Sequence, residues 1–359
     1  MYSSQQVRKV HLEITTKCSV RCPQCSRTWL GDTNPTLPQV ELSLADIERI
    51  FPSSFVRQLT ELHICGNYGD ATAAQDTVEA MRYFRAINPD MILQVMTHGS
   101  ARSVDWWKDL ALLGVRVHFG IDGLEDTNHI YRRDTNWKMI MRNATAFIAA
   151  GGHAIWTFIV FAHNEHQVEE ARKLSEDMRF AAFVVKQTGR FVLRPKQDIF
   201  DRSGRIVGQL SAPQNPAYRN DRVDRVDPAR MNEYWETTNI FCKANNSLSV
   251  FVSAEGLVTP CCYLGAIHPR LENKHYGQVK KLMDNDPSTI SALKHSIAEV
   301  IDGPFFQTLI PKGWKIGPDR IKICSHMCGS NDYVGAQTER RKENSIAERV
   351  GKPLVGEPV

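Results

Sequence analysis

The stretch Lys17-Cys18-Ser19-Val20-Arg21-Cys22-Pro23-Gln24-Cys25 decides how the rest of this 359-residue chain is interpreted. Its three cysteines have the spacing C-x3-C-x2-C. Three thiolates on one short loop can bind three irons of a cubane iron–sulfur cluster and leave the fourth iron open. A cluster that only carries electrons normally has four cysteine ligands. The loop therefore indicates a site where a substrate or cosubstrate binds to iron.

Two other interpretations of this loop are a structural zinc site and a disulfide framework. Structural zinc takes ligands in two pairs, and the loop has no fourth cysteine or histidine close by. Nine cysteines in 359 residues fall far below the density of a disulfide scaffold. The first residues contain no apolar signal-peptide core, so we expect reduced thiols and a cytoplasmic location.

The composition is that of a globular protein with one large domain or two smaller ones, since 42% of the residues are hydrophobic and 23% are charged. No apolar run in the sequence approaches the length of a membrane span. The 44 basic and 40 acidic residues give a net charge of +4, which argues against a nucleic-acid platform. We therefore expect neither a membrane nor a nucleic acid as partner.

The first half of the chain alternates strand-like apolar runs with helical patterns. The predicted strands are Val10–Thr15, Leu59–Cys65, Ile92–Thr97, Val115–Asp122, Ala154–Phe161 and Ala182–Val185. The predicted helices are Leu44–Ile50, Ala74–Ile87, Val104–Leu113, Trp137–Ala150 and Glu165–Met178. This alternation predicts βα units around a parallel sheet, six of them before about residue 195. Ser43 followed by Asp46 predicts a capped helix start.

Ligands of parallel α/β folds bind at the carboxyl ends of the strands. In the predicted fold, four polar or glycine-bearing loops fall there. They are the cysteine loop, Gly66-Asn67-Tyr68-Gly69-Asp70, Thr97-His98-Gly99-Ser100 and Asp122-Gly123. A structural turn would explain any one of these glycines, but loops that share one rim of a sheet predict a site.

From about Gly189 to Asn239 the pattern weakens, and arginine and proline are frequent. We interpret this stretch as the last strand followed by a long crossing segment. Its arginines fit a solvated surface, with carboxylate or phosphate binding as the alternative.

A second set of cysteines follows the crossing segment and comprises Cys242, Cys261, Cys324 and Cys328. The first two stand at the bases of a predicted hairpin, Ser247–Ser253 and Val258–Pro260, with a turn at Ala254–Leu257. Four cysteines in two groups suit a closed iron–sulfur cluster or structural zinc. Beside an open cluster loop, we favour a second cluster. We interpret Cys262 as a core thiol and Cys65 as a buried small hydrophobe, with a place near the first cluster as the alternative for Cys65.

The joint pattern resembles the radical S-adenosylmethionine (SAM) enzymes over almost the whole chain. Cys18, Cys22 and Cys25 after a first strand resemble the cluster loop of that superfamily, and Gly66–Asp70 resembles its Gly-Gly-Glu motif. The second set resembles the subgroup with a SPASM or Twitch auxiliary-cluster domain. Its order is Cys242, Gly256, Cys261, Cys324 and Cys328.

The resemblance implies an α/β fold: a partial (β/α)6 TIM-like barrel with a [4Fe–4S] cluster in its mouth and a small C-terminal cysteine-rich domain. SAM would chelate the open iron through its amino and carboxylate groups. An electron from the cluster, supplied by a flavodoxin- or ferredoxin-type donor, would cleave the sulfonium. The resulting 5′-deoxyadenosyl radical would abstract a hydrogen atom from a small-molecule or peptide substrate. The protein would supply position and exclusion of water.

The resemblance also implies roles for individual residues. Ligands of the catalytic cluster would be Cys18, Cys22 and Cys25, and ligands of a second [4Fe–4S] cluster would be Cys242, Cys261, Cys324 and Cys328. Contacts with the methionine amino group would come from Gly66, Gly69 and Asp70. Thr97 and Asp122 are candidates for ribose or methionine contacts. Arg132 or Arg133 would lie near the methionine carboxylate, with a surface ion pair as the alternative.

The sequence departs from the family pattern in several places. Gln24 stands where relatives often have an aromatic residue that packs over adenine, and Asp70 is one methylene shorter than the usual Glu. The first strand begins near the start of the sequence, so we expect no separate leader-peptide-binding domain. Four auxiliary cysteines suit one auxiliary cluster, as in a Twitch domain. We divide the chain into a barrel core (1–195), a crossing segment (196–239), an auxiliary-cluster domain (240–335) and a polar tail (336–359).

Four paired cysteines would leave no open iron, so the auxiliary cluster would accept electrons and the reaction would be a net oxidation. A redox-neutral rearrangement in cofactor or natural-product biosynthesis and a peptide modification are the alternatives. Oxidation needs a general base. The candidates are His98, Asp122, Asp126, His129 and Tyr131. The alternative outside enzymes is a zinc-stabilised binding module, which the open three-cysteine loop argues against.

Overall fold

The sequence folds into thirteen strands in the computed structural model, which describes residues 1–192, 194–220, 227–268, 276–329 and 339–342. They are β1 (Lys9–Leu12), β2 (Thr28–Trp29), β3 (Asp32–Thr33), β4 (Glu61–Ile64), β5 (Ile92–Thr97), β6 (Arg116–Gly120), β7 (His153–Ile159), β8 (Ala182–Thr188), β9 (Lys196–Phe200), β10 (Ile206–Ser211), β11 (Ser249–Val252), β12 (Val258–Thr259) and β13 (Glu339–Lys342).

The α-helices span Leu44–Ile50, Ser53–Val56, Thr77–Ile87, Val104–Leu112, Asn128–Tyr131, Trp137–Ala149, Val168–Asp177, Met231–Thr237, Lys243–Ser247, Tyr276–Leu282, Ile297–Asp302, Ile310–Lys312 and Lys322–Cys328. Short 3-10 helices span Ser4–Gln6, Ala71–Ala73, Glu165–Gln167, Pro228–Arg230 and Pro287–Ile290, and Phe305–Leu309 is a π-helix. The capping box predicted at Ser43 is present, because its hydroxyl accepts from the Asp46 amide and the Asp46 carboxylate accepts from the Ser43 amide. Among the described residues, no helix has the length and apolar character needed to span a bilayer.

One sheet has the strand order β12-β11-β1-β4-β5-β6-β7-β8-β13, and the six strands from β1 to β8 in this order run parallel. Helices connect these strands, as the alternating sequence pattern predicted. The predicted fold class, an α/β fold with a partial six-unit barrel, is confirmed. The carboxyl ends of the parallel strands lie at one rim, which carries the four loops named above.

The barrel strands separate an apolar face from a polar one. In β1 and β4 every second side chain is buried under the helices, as for Val10 and Leu62, whereas their neighbours are half-buried on the opposite face. On that face Lys9 Nζ lies 2.9 Å from Glu61 Oε2, and Gln94 donates to Glu61 Oε1 over 2.9 Å. Gln94 Oε1 lies 2.9 Å from His118 Nε2. This polar wall (Lys9, Glu61, Gln94 and His118) crosses four neighbouring strands.

The auxiliary hairpin extends the barrel sheet. The predicted turn joins β11 to β12, and β11 also pairs in parallel with β1, from Lys9 with Ser249 to Leu12 with Val252. Leu248, at φ 51°, ends the preceding short helix and lets the chain turn into β11. The second set of cysteines is therefore attached to the strand that carries the first.

Two segments interpreted from sequence as crossing segment and tail contain strands. β9 and β10 form an antiparallel hairpin whose Ile199 and Leu210 pack in one apolar cluster with Val20 and Cys22 of the cysteine loop. β13 pairs antiparallel with β8 at the far edge of the sheet. The hairpin thus covers part of the cysteine loop, which a crossing segment alone would not do.

Arg320 is a fully buried cation that holds the C-terminal unit together. Its Nε donates to Trp235 O over 2.7 Å and to Ser325 Oγ over 3.0 Å, and its Nη1 donates to Trp314 O over 3.0 Å. Its Nη2 donates to Thr238 O. One side chain therefore fastens the helix that carries Cys324 and Cys328 to the segment before Cys242.

Replacing Arg320 with methionine should destabilise the C-terminal unit, because the carbonyl groups that it binds would stay buried without donors. We expect a loss of at least about 2 kcal/mol in the free energy of unfolding, measured by urea denaturation. The matched control is Arg230→Met, since Arg230 is exposed and pairs with an equally exposed Glu233. That variant should change stability by less than about 1 kcal/mol. Equal losses in the two variants would contradict the role given to Arg320.

Candidate active site

The cysteine loop forms compact turns after β1. Cys25 N donates to Cys22 O over 3.0 Å, and Thr28 N donates to Cys25 O over 3.0 Å. The three thiols pack in one apolar cluster, in which burial and, more weakly, the neighbouring thiols raise the pKa of Cys18. Burial raises the pKa of Cys22 to about 12, against the opposing effect of Arg132. Three soft donors in an apolar pocket fit a thiolate-bound cluster, which would displace their protons on binding.

The loop Gly66–Asp70 lies directly on the end of β1. A Cβ atom on Gly69 would overlap the carbonyl oxygen of Thr15, and one on Gly66 would overlap the Gly69 carbonyl. Both glycines therefore allow a close backbone approach within the protein itself. Asp70 N donates to Lys17 O over 3.0 Å, which fastens this loop to the cysteine loop.

Asp70 and Thr97 belong to one buried network. Asp70 Oδ1 accepts from Thr72 N over 2.9 Å and from Thr97 Oγ1 over 2.8 Å, and Oδ2 accepts from His98 N over 3.0 Å. Burial acts to raise the pKa of Asp70, but His98 and these donors together hold it below its usual value. The carboxylate joins the loops after β4 and β5, so its contact with a methionine amino group stays a prediction.

Glu13 is a site residue that the sequence analysis did not select. It is buried, and its Oε1 accepts from Tyr68 N over 2.6 Å and from Gly69 N over 3.2 Å. Its position one residue after β1, before the cysteine loop, was the only signal in the sequence. Glu13 fixes the conformation of the Gly66–Asp70 loop.

Burial raises the pKa of Glu13 from 4.5 to about 7, although the loop amides favour its charged form. Across this pH range the folded chain keeps a proton that the unfolded chain has released, so the free energy of unfolding falls as the pH rises. Glu13→Gln keeps an acceptor for both amides and removes this dependence. We expect it to exceed the parent in stability by about 3 kcal/mol at pH 8, and by little at pH 4.5. Urea denaturation across pH measures the difference.

The control for this prediction is Glu48→Gln, on an exposed helix face. It should leave the pH profile of stability as in the parent. A Glu13→Gln profile parallel to that of the parent would show that Glu13 does not titrate in this range.

Asp122 and Arg132 form an ion pair beside the cysteine loop. Arg132 Nε donates to Asp122 Oδ2 over 2.6 Å, and Arg132 Nη1 lies 3.9 Å from Cys22 Sγ. The Arg132 guanidinium occupies space that a side chain at Gly120 would fill. Arg133 lies at the edge of this group, where its carbonyl accepts from Arg21 N and its Nε is buried without a partner among the described residues.

The candidate bases are divided between two places. His98 is buried, with Nε2 3.4 Å from Ser19 Oγ, and burial lowers its pKa. Tyr131 packs in the cluster with Cys22, and its hydroxyl accepts from Arg190 over 2.5 Å. His129 is exposed in a surface groove of about 730 Å³ with Trp137. The exposed Asp126 binds Gln167 over 2.8 Å. His98, Tyr131 and the ion-paired Asp122 are therefore the candidates that adjoin the cysteine loop.

The second set of cysteines surrounds one cavity. Its lining includes all four members of the set, Cys242, Cys261, Cys324 and Cys328, together with Trp314 and other apolar side chains. Burial raises the pKa of Cys261 to about 12, although the amides of Leu264 and Tyr263 favour its thiolate. Burial raises the pKa of Cys324, although a hydrogen bond from the Trp314 side chain favours its thiolate. Four thiols and an N–H donor around an apolar cavity fit a second cluster.

In the described parts of the chain, no three His, Cys, Asp or Glu side chains converge closely enough to hold a single metal ion. A cubane cluster requires less convergence, because each thiolate binds a different iron. Cys262 does not line the cavity and is half-buried near Cys65 and Glu13.

The comparisons with known proteins agree with this geometry. The family profile described as Radical SAM superfamily matches residues 12–175, which contain the cysteine loop and the rim. This part of the chain belongs to the radical SAM superfamily. No curated protein sequence matches it.

The radical SAM fold and the C-terminal unit also resemble solved structures. Streptococcus suis SuiB bound to S-adenosylmethionine has a TM-score of 0.53 and 13% sequence identity, and the match covers 89% of this chain and 72% of SuiB. SuiB bound to precursor peptide SuiA has a TM-score of 0.55 and 11% identity, covering 90% of this chain and 73% of that one. Native anSMEcpe with bound AdoMet has a TM-score of 0.53 and 12% identity, covering 92% and 93%. These matches extend beyond the barrel and show a shared fold over most of the chain.

Proposed function

We propose that this radical SAM enzyme catalyses a net two-electron oxidation, with the second cysteine set holding a cluster that accepts an electron. One observation carries the proposal: four cysteines line a single cavity, whereas the loop at the rim offers three. A closed ligand set suits electron transfer, and an open one suits cosubstrate binding. When bound, the rim cluster supplies the one-electron cleavage of SAM that generates a hydrogen-abstracting radical.

The residues at the rim would bind and orient SAM. Backbone groups of Gly66 and Gly69 are candidates for the methionine amino group, and Arg132 or Arg133 for its carboxylate. Gln24 is a candidate for adenine, because its buried Oε1 has no partner among the described residues and can accept a hydrogen bond. Thr97 and Asp122 complete this candidate set by holding the loops in place.

The substrate would lie at the rim beside the cysteine loop, and the β9–β10 hairpin that packs on this loop would exclude water. His98 and Asp122 are the candidate proton acceptors beside that loop, because burial raises the pKa of Tyr131 and keeps its phenol protonated. A peptide substrate is the second candidate, since SuiB binds the precursor peptide SuiA and anSMEcpe binds the Cp18Cys peptide. A flavodoxin- or ferredoxin-type protein would supply the first electron.

Anaerobic reconstitution tests the proposal. We expect about eight irons per chain, as two cubanes, and formation of 5′-deoxyadenosine from SAM after reduction. An iron content of about four per chain would show that the second set holds no cluster, and it would refute the assignment of a net oxidation. A colourless protein that holds zinc alone would support the zinc-stabilised binding module. Consumption of one SAM per oxidised product would separate oxidation from a redox-neutral rearrangement, in which substrate and product have the same oxidation state.

A further inference from the structure

Asn67 lies between the two sets of cysteines and contacts both sides. Its carbonyl oxygen is 4.0 Å from Cys25 Sγ. Its side-chain Nδ2 donates to Cys262 O over 2.8 Å. Cys262 adjoins Cys261, which lines the auxiliary cavity. The Cys25–Asn67 contact and the Asn67–Cys262 hydrogen bond thus connect the cysteine loop to the backbone beside the second set.

This position of Asn67 is fixed from both ends. Glu13 holds the amides of the next two residues, Tyr68 and Gly69, and Asp70 N is bonded to the cysteine loop. On the other side, Tyr68 Oη donates to His268 O over 3.1 Å, which ties the loop to the auxiliary unit independently of Asn67. These bonds therefore hold the backbone of Asn67 in place between the two sets of cysteines.

We propose that Asn67 is the coupling residue through which the two cysteine sets exchange an electron. This inference rests on the proposed function, because it needs a cluster in each set. Oxidation removes a hydrogen atom, a proton and an electron from the substrate. The hydrogen atom goes to the deoxyadenosyl group, the proton to a base and the electron to the auxiliary set. Exchange through Asn67 moves that one electron, with no bond formed or broken.

The physical basis is that covalent bonds and hydrogen bonds couple two redox centres more strongly than a gap of the same length. The Nδ2–Cys262 bond closes the space between two loops that are joined only by distant parts of the chain. Asn67→Ala opens that space. Asn67→Asp keeps the volume but places an acceptor opposite the Cys262 carbonyl, so it removes the hydrogen bond at nearly constant shape.

The test is a time-resolved reduction of the anaerobic, reconstituted full chain. A light flash with a deazaflavin reductant adds less than one electron per chain, and samples frozen at successive times are measured by electron paramagnetic resonance. SAM is added to distinguish the signal of the rim cluster. Reference spectra come from two variants, one with Cys18, Cys22 and Cys25 changed to alanine and one with Cys324 and Cys328 changed to alanine.

We expect both Asn67 variants to show re-equilibration between the two signals that is several-fold slower than in the parent. The matched control is Tyr68→Phe, which removes two other hydrogen bonds between the loop and the auxiliary unit, those of Tyr68 Oη with His268 O and His268 N, and should keep the parent rate. Parent-like rates in both Asn67 variants would overturn the inference. An equal slowing in Tyr68→Phe would also overturn it, since Asn67 would then only hold the loop against the auxiliary unit and would not carry the electron. A parent protein with one cluster would instead refute the proposed function.

Discussion

The triple variant with Cys18, Cys22 and Cys25 changed to alanine should lose all reductive cleavage of SAM and keep about four of about eight irons. The effect is expected to be complete, because no other described cysteine lies in the apolar cluster that contains these thiols. The second set lines its own cavity and is fastened by Arg320, so its iron should remain. Chromatographic measurement of 5′-deoxyadenosine and iron analysis after anaerobic reconstitution test both halves of the prediction.

The matched control for this variant is Cys262→Ala. Cys262 is a half-buried thiol that lies outside the auxiliary cavity, so its loss should leave the iron content unchanged. Cleavage of SAM that persists in the triple variant would refute the assignment of the rim site. Loss of all iron in the triple variant would show that the two sites do not form independently.

The position of the candidate site could be predicted from the sequence, because parallel βα units bring the carboxyl ends of their strands to one rim whatever the details of packing. The predicted strands and helices therefore positioned the cysteine loop, Gly66–Asp70 and Thr97 together, and the fold confirms this arrangement. The hairpin β11–β12 was likewise visible as two short alternating runs around a turn. The parallel pairing of β11 with β1 could not be predicted, because the sequence of a strand does not specify which neighbouring strand it pairs with.

The contacts that shape the site were less accessible to prediction. Glu13 is an isolated acidic residue after an apolar strand, and only the fold brings the amides of Tyr68 and Gly69 to it. Asp70 matched a family motif by position, yet its carboxylate is bound by neighbouring loops. The β9–β10 hairpin lies in an arginine-rich stretch whose charged residues concealed the two apolar side chains that pack inward.

Asp122 holds the centre of the rim. Its side chain is fully buried, and its Oδ1 accepts from Ile159 N over 2.6 Å while Oδ2 accepts from Arg132 Nε over 2.6 Å. Its carbonyl accepts from Asn164 over 2.8 Å. It therefore joins the loop after β6 to the end of β7 and holds the guanidinium that lies beside Cys22.

Asp122→Ala should lower the free energy of unfolding by about 3–5 kcal/mol, because it leaves a buried guanidinium without its counter-ion and a buried amide without its acceptor. Asp122→Asn keeps the acceptor for Ile159 and should lose less. Urea denaturation of the apo-protein measures both. The comparison separates the loss of charge from the loss of the hydrogen bond to the backbone.

The chain offers a matched control in the neighbouring pair of Arg21 and Asp134. Its Nε–Oδ2 distance is 2.5 Å, but Asp134 is 31% exposed where Asp122 is 0% exposed. Asp134→Ala should therefore cost less than about 1 kcal/mol. If both alanine variants lost the same amount, burial would not be what makes the Asp122–Arg132 pair indispensable. A double-mutant cycle with Arg132→Met would then decide whether the two charges interact at all.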